Sequence, residues 1–403
     1  MTPAADGAAS AWPKIPLTRP SVGEAEAEAA RRVLLSGWLA QGPEVAAFEA
    51  EFAAYVGAPH AVAVSNCTAA LELLLHALGV GPGQEVVTPS HSFIAAANAI
   101  RRLGARPVFV DIEAEGHNAD PERIAAATGA RTAAILAVHQ LGMPCDLAAI
   151  AGIAEARGVP LIEDAACAAG SEICWQGSWD RIGRPHGVAA CFSFHPRKIL
   201  TTGEGGMITT ADATFAARLR RLRAHGMDLD THTRHLGGVV SERYDEPGFN
   251  MRMTDVQAAL GRVQLAGLDE DVRRRSALAA RYAEGLAAIS GLRPPSEPAW
   301  ARSNWQSYCV RLPDGVDQHA VMRRLAEAGV ASRRGVMCVH REPAYPAGSW
   351  SCRPDGDCDD GQCDRLRFSE SAQDRSLQIP LFGAMTEAEQ DQVVAALASA
   401  CRT

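Results

Sequence analysis

Long apolar runs are missing from this sequence of 403 residues. No stretch approaches the roughly 20 consecutive apolar residues of a membrane-spanning helix. The opening segment MTPAADGAAS has neither the basic start nor the apolar core of a secretion signal. Basic clusters are also scarce, since the formal net charge is -8 and a nucleic-acid surface needs grouped Lys and Arg side chains. We therefore expect a soluble cytoplasmic protein that binds neither membranes nor nucleic acids.

Cysteine pairs with metal-binding spacing are absent as well. The eleven cysteines are an odd number scattered through apolar contexts such as those of Cys191 and Cys309, which favours reduced thiols over a disulfide framework. The stretch CRPDGDCDDGQC, from Cys352 to Cys363, lacks the Cys-x-x-Cys pairs of a zinc site, and Asp360 stands where a calcium loop needs glycine. We expect a solvated loop there, and no bound metal.

The sequence does contain a regular alternation of short apolar runs and helical segments. The runs are HAVAVSN, EVVTPS, RPVFVDI, TAAILAVHQ and VPLIED. This pattern predicts an α/β fold with helices on both faces of a mostly parallel sheet. A capping box at Ser21 and Glu24 predicts the start of the first helix. We expect a large domain with an N-terminal arm at residues 1–270 and a smaller C-terminal α+β domain at residues 271–403.

Polar residues follow the predicted strands at the edge of the sheet where doubly wound folds bind ligands. The segment VSNCTAALEL takes the chain from a strand into a helix, whose free N–H groups and positive dipole end suit a phosphate. Asp164 ends the apolar strand VPLIED, where an unpaired carboxylate is costly. A protonated pyridine nitrogen of a pyridoxal cofactor would balance its charge. Taken alone, Asp164 could equally cap the next helix.

Lys198 lies in an unusual setting, FSFHPRKILTTGEGG. It follows the apolar run VAACFSF and precedes Gly203, Gly205 and Gly206, which would let the backbone pass close to a bound ligand. A desolvated amine of this kind is suited to Schiff-base chemistry. The order of a phosphate cradle, an aspartate and a lysine therefore indicates a pyridoxal-dependent enzyme.

Together these motifs resemble the pyridoxal-phosphate-dependent sugar aminotransferases of the DegT/DnrJ/EryC1/StrS family, which have the aspartate aminotransferase fold. The resemblance runs from about Ile15 to Val394. It rests on the segments GWLAQGPEVAAFEAEFA, VSNCTAALEL, EVVTPSHSFIAAANAI, PVFVDI, LIEDAA, FSFHPRKILTTGEGGMI, PGFNMRMTDVQAALGRVQL and IPLF. It implies pyridoxal 5'-phosphate (PLP) as the cofactor, Lys198 as the catalytic lysine bonded to it, and Asp164 as the catalytic partner of its ring nitrogen.

The resemblance implies further cofactor contacts. Phe93 would stack on the pyridine ring, although it could also be an ordinary core residue. Cys67, Thr68 and Ser193 would contact the phosphate. Asn250 would reach the phosphate from the neighbouring subunit, which implies a homodimer with shared active sites.

Three positions depart from the family's usual pattern. Cys167 stands where a glutamine usually lies near the phenolic oxygen of the cofactor, and a thiol is a much weaker hydrogen-bond donor. Ala169 replaces a frequent histidine, and Leu141 replaces a frequent aromatic residue. These changes leave open how the cofactor is tuned and which acceptor is used.

The resemblance implies a ping-pong transfer of an amino group from an amino donor, L-glutamate, to a ketone on a nucleotide-linked deoxysugar. Arg333 or Arg334 could meet a phosphate or carboxylate of a substrate, or could equally be solvated helix-end residues. His195 could be structural or could orient the substrate. Elimination or epimerisation on a sugar or cyclitol would use the same lysine and aspartate, and a catalytically silent PLP-binding regulator is a further alternative.

Overall fold

The computed structural model describes residues 14–228, 242–352 and 364–402 of the chain. Within these ranges the strands belong to one large sheet and two small ones. In chain order they are β1 (His60–Val64), β2 (Glu85–Pro89), β3 (Arg106–Val110), β4 (Thr132–Val138), β5 (Leu161–Asp164), β6 (Glu172–Trp175), β7 (Ser178–Arg181), β8 (Ala189–Ser193), β9 (Gly206–Thr210), β10 (Ala301–Arg302), β11 (Tyr308–Arg311), β12 (Arg333–Arg334) and β13 (Ser376–Ile379).

The large sheet is mostly parallel, as predicted. Its seven strands have the order β1-β9-β8-β5-β4-β2-β3. The strands from β8 to β3 run parallel to their neighbours, whereas β9 runs antiparallel to both β8 and β1. The five predicted apolar runs form β1 to β5. They read as continuous apolar stretches because a sheet covered on both faces buries every side chain of its strands.

Helices cover the sheets and connect the strands. They are α1 (Glu24–Ser36), α2 (Pro43–Val56), α3 (Cys67–Ala77), α4 (Ala95–Arg102), α5 (Pro121–Ala127), α6 (Leu147–Arg157), α7 (Ala213–Leu222), α8 (Asp255–Leu286), α9 (Gln318–Glu327), α10 (Arg367–Arg375) and α11 (Glu387–Ala400). Short 3-10 helices occur at Gln140–Gly142, Val339–Arg341 and Asp364–Leu366. No helix of the described residues is both long and apolar enough to span a membrane.

The first helix starts later than its predicted cap. Its N-cap is Gly23, and the Glu26 carboxylate accepts the Gly23 N–H at 2.8 Å. Ser21 lies outside the helix, and its carbonyl oxygen accepts a hydrogen bond from Gln264 Nε2 at 2.6 Å. The capping box predicted at Ser21 and Glu24 is therefore wrong by two residues, because Ser21 is bonded to α8 instead.

Two apolar cores lie on opposite faces of the large sheet. Alternate residues of β1 divide between them: Ala61 and Ala63 join a core with α2 and α6, whereas Val62 and Val64 join a core with α3, α4 and α7. A third core forms around the small sheet β11-β13-β12, with α9, α11 and the second half of α8. The predicted boundary between two domains, at residue 270, falls inside α8. The division of the chain into these two domains stays a prediction.

Free thiols predominate among the described cysteines. Eight are free, and Cys352 is disulfide-bonded, so the expectation of reduced thiols is wrong for Cys352. Most of the predicted solvated loop from Cys352 to Cys363 lies outside the described residues. Among the residues that the structure describes, no group of three or more His, Cys, Asp or Glu side chains could hold a metal ion.

A buried ion pair fastens α2 and α7 to β1. Arg223 is 3% exposed and Glu49 is 7% exposed. The Arg223 guanidinium donates both to Glu49 and to the Ala63 carbonyl oxygen, and Glu49 Oε1 accepts the Ala63 N–H at 2.9 Å. Removing one member of such a pair leaves the other charge buried without compensation.

We expect Arg223→Leu to lower the free energy of unfolding by about 2–4 kcal/mol, because the buried Glu49 would keep only the partly exposed Arg220, whose Nε donates to Glu49 Oε2 at 3.3 Å, as an ion-pair partner. Urea unfolding followed by circular dichroism measures this loss. Arg273→Leu, in an exposed pair with Glu270, is the control, and should change stability by about 0.5 kcal/mol or less. Equal losses in the two variants would contradict the role assigned to the buried pair.

Candidate active site

Four neighbouring strands, β1, β9, β8 and β5, place the predicted site residues at one edge of the large sheet. Gly206 at the start of β9 pairs with Val64 at the end of β1 and with Ser193 at the end of β8. On the other side of β8, Asp164 at the end of β5 pairs with Cys191. The predicted phosphate contacts and the predicted aspartate are thus brought to the same edge of the sheet.

The start of α3 offers a cradle for a phosphate group. Asn66 caps the helix by accepting the Ala69 N–H at 2.8 Å, while Cys67 is buried and Thr68 is half-buried in the first turn. Free N–H groups and the positive end of the helix dipole point out of this turn. Cys67 and Thr68 therefore lie where they could hold the phosphate of a cofactor.

Gly206 allows this helix start to lie against β9. A Cβ atom on Gly206 would be 2.7 Å from the carbonyl carbon of Asn66 and 2.8 Å from the backbone nitrogen of Cys67. Both are backbone atoms, which cannot move without displacing α3. The glycine predicted to pass close to a ligand instead passes close to the start of the helix that faces the ligand site.

Lys198 lies in a hydrogen-bonded turn that follows β8. Its backbone N–H donates to the His195 carbonyl oxygen at 2.8 Å, and its Nζ donates to Cys167 Sγ at 2.9 Å. Burial lowers the pKa of Lys198, but Cys167 and the Asp164 carboxylate oppose this effect, and its pKa lies above the usual value. In the cofactor-free protein the amine is therefore an ammonium ion, and it must lose a proton before it can bond to an aldehyde.

Asp164 carries a charge that the protein compensates only in part. The residue is 8% exposed, and its Oδ1 accepts the Ala166 N–H at 3.0 Å. Burial raises the pKa of Asp164, although the Ala166 N–H and the Lys198 ammonium act in the opposite direction. Within the described residues, Oδ2 accepts no hydrogen bond. A cationic ring nitrogen is the kind of group that this carboxylate lacks, so the site fits a pyridoxal cofactor.

A buried pair that the sequence analysis did not assign supports the end of β5. His139 Nε2 and Glu163 Oε2 are 3.0 Å apart, and neither residue is exposed. His139 Nδ1 accepts the Cys145 N–H, so Nε2 carries the proton that is shared with Glu163. The His139 backbone N–H donates to the Asp164 carbonyl oxygen at 3.0 Å, which fixes the position of the aspartate. The only sequence signal for this pair was the position of Glu163 next to Asp164.

Phe93 presents an exposed ring at this edge of the sheet. It is 62% exposed, so the alternative that it is a core residue is wrong. The segment before it is anchored at two points: Ser90 Oγ lies 2.6 Å from His340 Nδ1, and Gln140 Nε2 donates to the His91 carbonyl oxygen at 2.7 Å. An apolar ring held in the open on an anchored segment could stack on a flat cofactor.

The two arginines predicted for the substrate side differ in their contacts. Arg334 forms an ion pair with Glu342 at 3.2 Å, whereas Arg333 is exposed and has no ion-pair partner among the described residues. Burial lowers the pKa of Arg197, and the nearby charge of Arg333 lowers it further. Arg333 therefore lies near the lysine turn together with Arg197, a residue that the sequence analysis missed.

The remaining two predicted residues have different surroundings. His195 Nδ1 accepts the Arg197 N–H at 3.2 Å, which gives this ring a structural contact within the lysine turn. The Asn250 side chain is exposed and makes no hydrogen bond to the described residues. The Met251 carbonyl oxygen accepts the Ser65 N–H at 2.8 Å, so the segment that carries Asn250 lies beside the end of β1.

The doubly wound sheet, the cradle at α3, the partly compensated Asp164 and the Lys198 amine define a PLP-dependent aminotransferase. The chain belongs to the DegT/DnrJ/EryC1/StrS aminotransferase family, whose sequence pattern matches residues 20–398. The predicted family, aspartate aminotransferase-like fold, PLP cofactor and enzyme class are thereby confirmed.

Relatives share most of their length with this chain. The spore coat polysaccharide biosynthesis protein SpsC of Bacillus subtilis (strain 168) is 37% identical over 388 residues, which cover 95% of this chain and 96% of SpsC. The crystal structure of the aminotransferase TlmJ from Streptoalloteichus hindustanus is 37% identical, with a TM-score of 0.85 and coverage of 96% and 98%. Spr1654 from Streptococcus pneumoniae, solved in its PMP form, is 26% identical, with a TM-score of 0.86 and coverage of 96% and 99%. Its PLP form has a TM-score of 0.85.

The partial compensation of Asp164 predicts a pH effect on the cofactor-free protein. A carboxyl whose pKa is raised on folding stabilises the fold below its unfolded pKa, and this stability is lost as the pH rises through the folded pKa. As the pH rises above about 4, the wild type should therefore lose unfolding free energy relative to Asp164→Asn. Urea unfolding at a series of pH values measures this difference.

The same substitution should weaken PLP binding by about ten-fold or more, because the charged partner of the ring nitrogen is lost. Titration of the cofactor-free protein with PLP, followed by absorbance, measures the affinity. Asp269→Asn, at a half-exposed aspartate on α8, is the control and should leave PLP binding unchanged. Tight PLP binding by Asp164→Asn would contradict the fit argued above.

Proposed function

We propose that this protein is a cytoplasmic homodimer that transfers the amino group of L-glutamate to a ketone on a nucleotide-linked deoxysugar. The observation that carries the proposal is the Lys198 amine, held 2.9 Å from Cys167 and close to the Asp164 carboxylate, in a chain of the sugar aminotransferase family. The similarity to SpsC, a protein named for polysaccharide biosynthesis, supports a sugar acceptor.

Lys198 is the proposed catalytic base. When bound, PLP supplies an aldehyde that bonds to amines and a ring that accepts the electron pair of a broken C–H bond. Lys198 Nζ would hold the PLP aldehyde in a bond formed with loss of water, and the same amine, once displaced by the amino donor, would move a proton at the substrate carbon. Cys167 Sγ, at 2.9 Å, holds the amine in place.

The other residues hold the cofactor in this proposal. Asp164 keeps the ring nitrogen protonated, which strengthens the ring as an electron acceptor. Phe93 covers one face of the ring. Cys67, Thr68 and Ser193 would hold the phosphate at the start of α3. This assignment is supported by the shared sheet edge of these residues and by the exposed Phe93 ring.

Arg197 and Arg333 are proposed to receive the anionic groups of the substrates. Two neighbouring guanidinium groups without carboxylate partners attract a carboxylate or a diphosphate. Arg334 is a weaker candidate because Glu342 already neutralises it. His195 is assigned a structural role, since its ring nitrogen caps the backbone of the lysine turn.

Dimer formation is supported by an apolar surface at the N-terminal helix. Leu34, Leu35 and Leu39 are 57%, 71% and 49% exposed. Exposed apolar side chains that lie together are typical of protein interfaces. Asn250, exposed and without hydrogen bonds to the described residues, is proposed to reach the phosphate of the partner subunit's cofactor. The free state of eight described cysteines supports the cytoplasm, which is a reducing compartment.

The two lysines of the chain, Lys14 and Lys198, give a direct test. Borohydride reduction of the holoenzyme should fix PLP on Lys198, as peptide mass analysis detects. Lys198→Ala should lower turnover by at least about 10³-fold, because both the covalent link and the base are lost. Lys14→Ala is the matched control and should remain active. Labelling of Lys14, or of neither lysine, would refute the proposed mechanism.

The proposed reaction predicts transfer of ¹⁵N from labelled L-glutamate to the sugar. Glutamate should bleach the visible absorbance of the holoenzyme, and a keto-sugar nucleotide should restore it. Product that lacks ¹⁵N would favour elimination or epimerisation. Bleaching that only a cyclitol or another ketone reverses would change the acceptor, and unchanged absorbance would favour a silent regulator.

Mixing two inactive variants tests whether the active sites are shared. A heterodimer of Lys198→Ala and Asn250→Ala subunits has one site with both residues intact, so the random mixture should regain about a quarter of wild-type activity. Each variant alone is the control. No gain on mixing would show that Asn250 serves its own subunit. Leu35→Asp should favour monomers in analytical ultracentrifugation, whereas Leu35→Met should remain dimeric.

A further inference from the structure

A cavity of about 220 Å³ lies between the large sheet and the small sheet β11-β13-β12, which is called the small sheet below. It is separate from the proposed active site, because none of Lys198, Asp164 and Phe93 lines it. Its volume corresponds to about seven water molecules in the liquid, and it is below the roughly 300 Å³ at which pockets for drug-sized ligands begin. It therefore suits a small metabolite.

Arg311, at the end of β11, brings an uncompensated charge to this cavity. Its Nη1 donates to the Ala114 carbonyl oxygen at 3.1 Å, and its Nη2 donates to Ser371 Oγ at 2.8 Å. Its Nε is buried and has no hydrogen-bond partner in the described residues. Both acceptors are neutral, and a half-buried guanidinium without an anion is energetically unfavourable.

The neighbouring arginines already have carboxylate partners. Arg293 is paired with Glu115 at 2.9 Å, and Arg375 contacts Asp314. Burial lowers the pKa of Arg311, and the charges of Arg375 and Arg293 lower it further. Among the described residues, two carboxylates thus face three guanidinium groups, and Arg311 is the one without an ion pair.

The remaining charge around the cavity is small. Glu115 is the only carboxylate in the lining, and Arg293 neutralises it. Burial lowers the pKa of His117, which also lines the cavity, to about 4, so this ring is neutral near pH 7. The lining therefore has one net positive charge, and that charge belongs to Arg311.

Hydroxyl groups lie around the same space. Ser376 is opposite Arg311 in the β11–β13 ladder, so that both side chains are on the same face of the small sheet. Ser307 lines the cavity from the neighbouring segment, and Trp305 forms an apolar wall. A guanidinium beside hydroxyl donors is an arrangement that binds oxygen anions.

We propose that this cavity is a second, non-catalytic site for a small oxyanion, a phosphate monoester or a carboxylate, held by Arg311 with Ser307 and Ser376. The anion would bridge two parts of the protein, since Arg311 and Ser376 belong to the small sheet and Gln140 lies just after β4 of the large sheet. Binding therefore stabilises the junction between the two sheets.

One wall of this cavity is connected to the active site by hydrogen bonds. Ser303 and Ser307 line the cavity, and Asn304 between them donates through Nδ2 to the carbonyl oxygens of Cys167 and Ala169, each at 2.8 Å. Cys167 in turn contacts the Lys198 amine. A ligand in the cavity thus contacts the segment that holds the Cys167 turn.

Calorimetric titration of the PLP-loaded holoenzyme tests the proposal, because PLP then occupies the phosphate cradle at α3. Inorganic phosphate and succinate serve as probes, at constant ionic strength maintained with chloride. We expect one phosphate or one succinate to bind per chain, with the affinity lowered at least ten-fold by Arg311→Gln. Arg273→Gln, in the exposed pair on α8, should bind like the wild type. Phosphate binding alone indicates a phosphate monoester, and succinate binding alone indicates a carboxylate.

A second pair of variants keeps the test valid if Arg311→Gln does not fold. Ser376→Asp places a carboxylate opposite Arg311, and should abolish binding of both probes while the melting temperature without probe is kept or raised. Ser376→Asn is the neutral control and should retain binding. Wild-type affinity in Ser376→Asp or in Arg311→Gln would overturn the proposal.

Binding that Arg197→Gln removes and Arg311→Gln retains would also overturn it, because the anion would then lie in the substrate cleft. Absence of binding by both probes has the same consequence. Neither outcome bears on amino transfer, which the ¹⁵N measurement tests separately.

Discussion

The close contact between Gly206 and the start of α3 is the constraint on which the active site depends. It lets β9 insert antiparallel between β1 and β8, and this brings the cradle, Ser193 and the lysine turn to one edge of the sheet. A side chain at this position would meet backbone atoms rather than a flexible neighbour. The packing of the sheet therefore already requires a glycine in the segment after the lysine, whether or not a ligand is bound.

Charge is distributed unevenly along that edge. Glu163 shares a hydrogen bond with His139 through Oε2, but its Oε1 is buried without a partner among the described residues, and the adjacent Asp164 is also only partly compensated. Buried groups with perturbed ionisation gather at functional sites because a bound ligand completes their environment. The partly compensated Asp164 carboxylate lowers the stability of the unliganded fold. It also gives the site a strong preference for a cationic ring.

Much of the large sheet could be predicted because parallel strands buried on both faces have continuous apolar sequences. β9 was not predicted, because its neighbour β1 is far away in the sequence and the pairing of the two strands leaves no local signal. The hairpin of β6 and β7 was missed too, since its turn uses Gln176 at φ 49° before Gly177 rather than a common turn pair. The prediction of the α1 cap was wrong for a related reason. Ser21 is bonded to α8, and this contact cannot be inferred from the local sequence.

The site shows the same division between local and distant information. Local signals led to the predictions for four residues. Asp164 ends a strand, Cys67 and Thr68 start a helix, and Lys198 follows an apolar run and precedes three glycines. The contact between Lys198 and Cys167, the exposure of Phe93 and the pairing of Arg334 with Glu342 depend on segments brought together only by folding. Arg197 was missed because an arginine without a partner cannot be recognised until its surroundings are known.

The long helix α8 also has a mechanical consequence. Its 32 residues make a rod about 48 Å long, with Leu265 and Leu268 in a core of the large sheet and Tyr282 and Leu286 in the core of the small one. A hinge motion that moves the small sheet relative to the large sheet would have to bend this helix and strain its hydrogen bonds. The helix therefore favours small sliding movements of its packed side chains over a wide hinge motion between the two sheets.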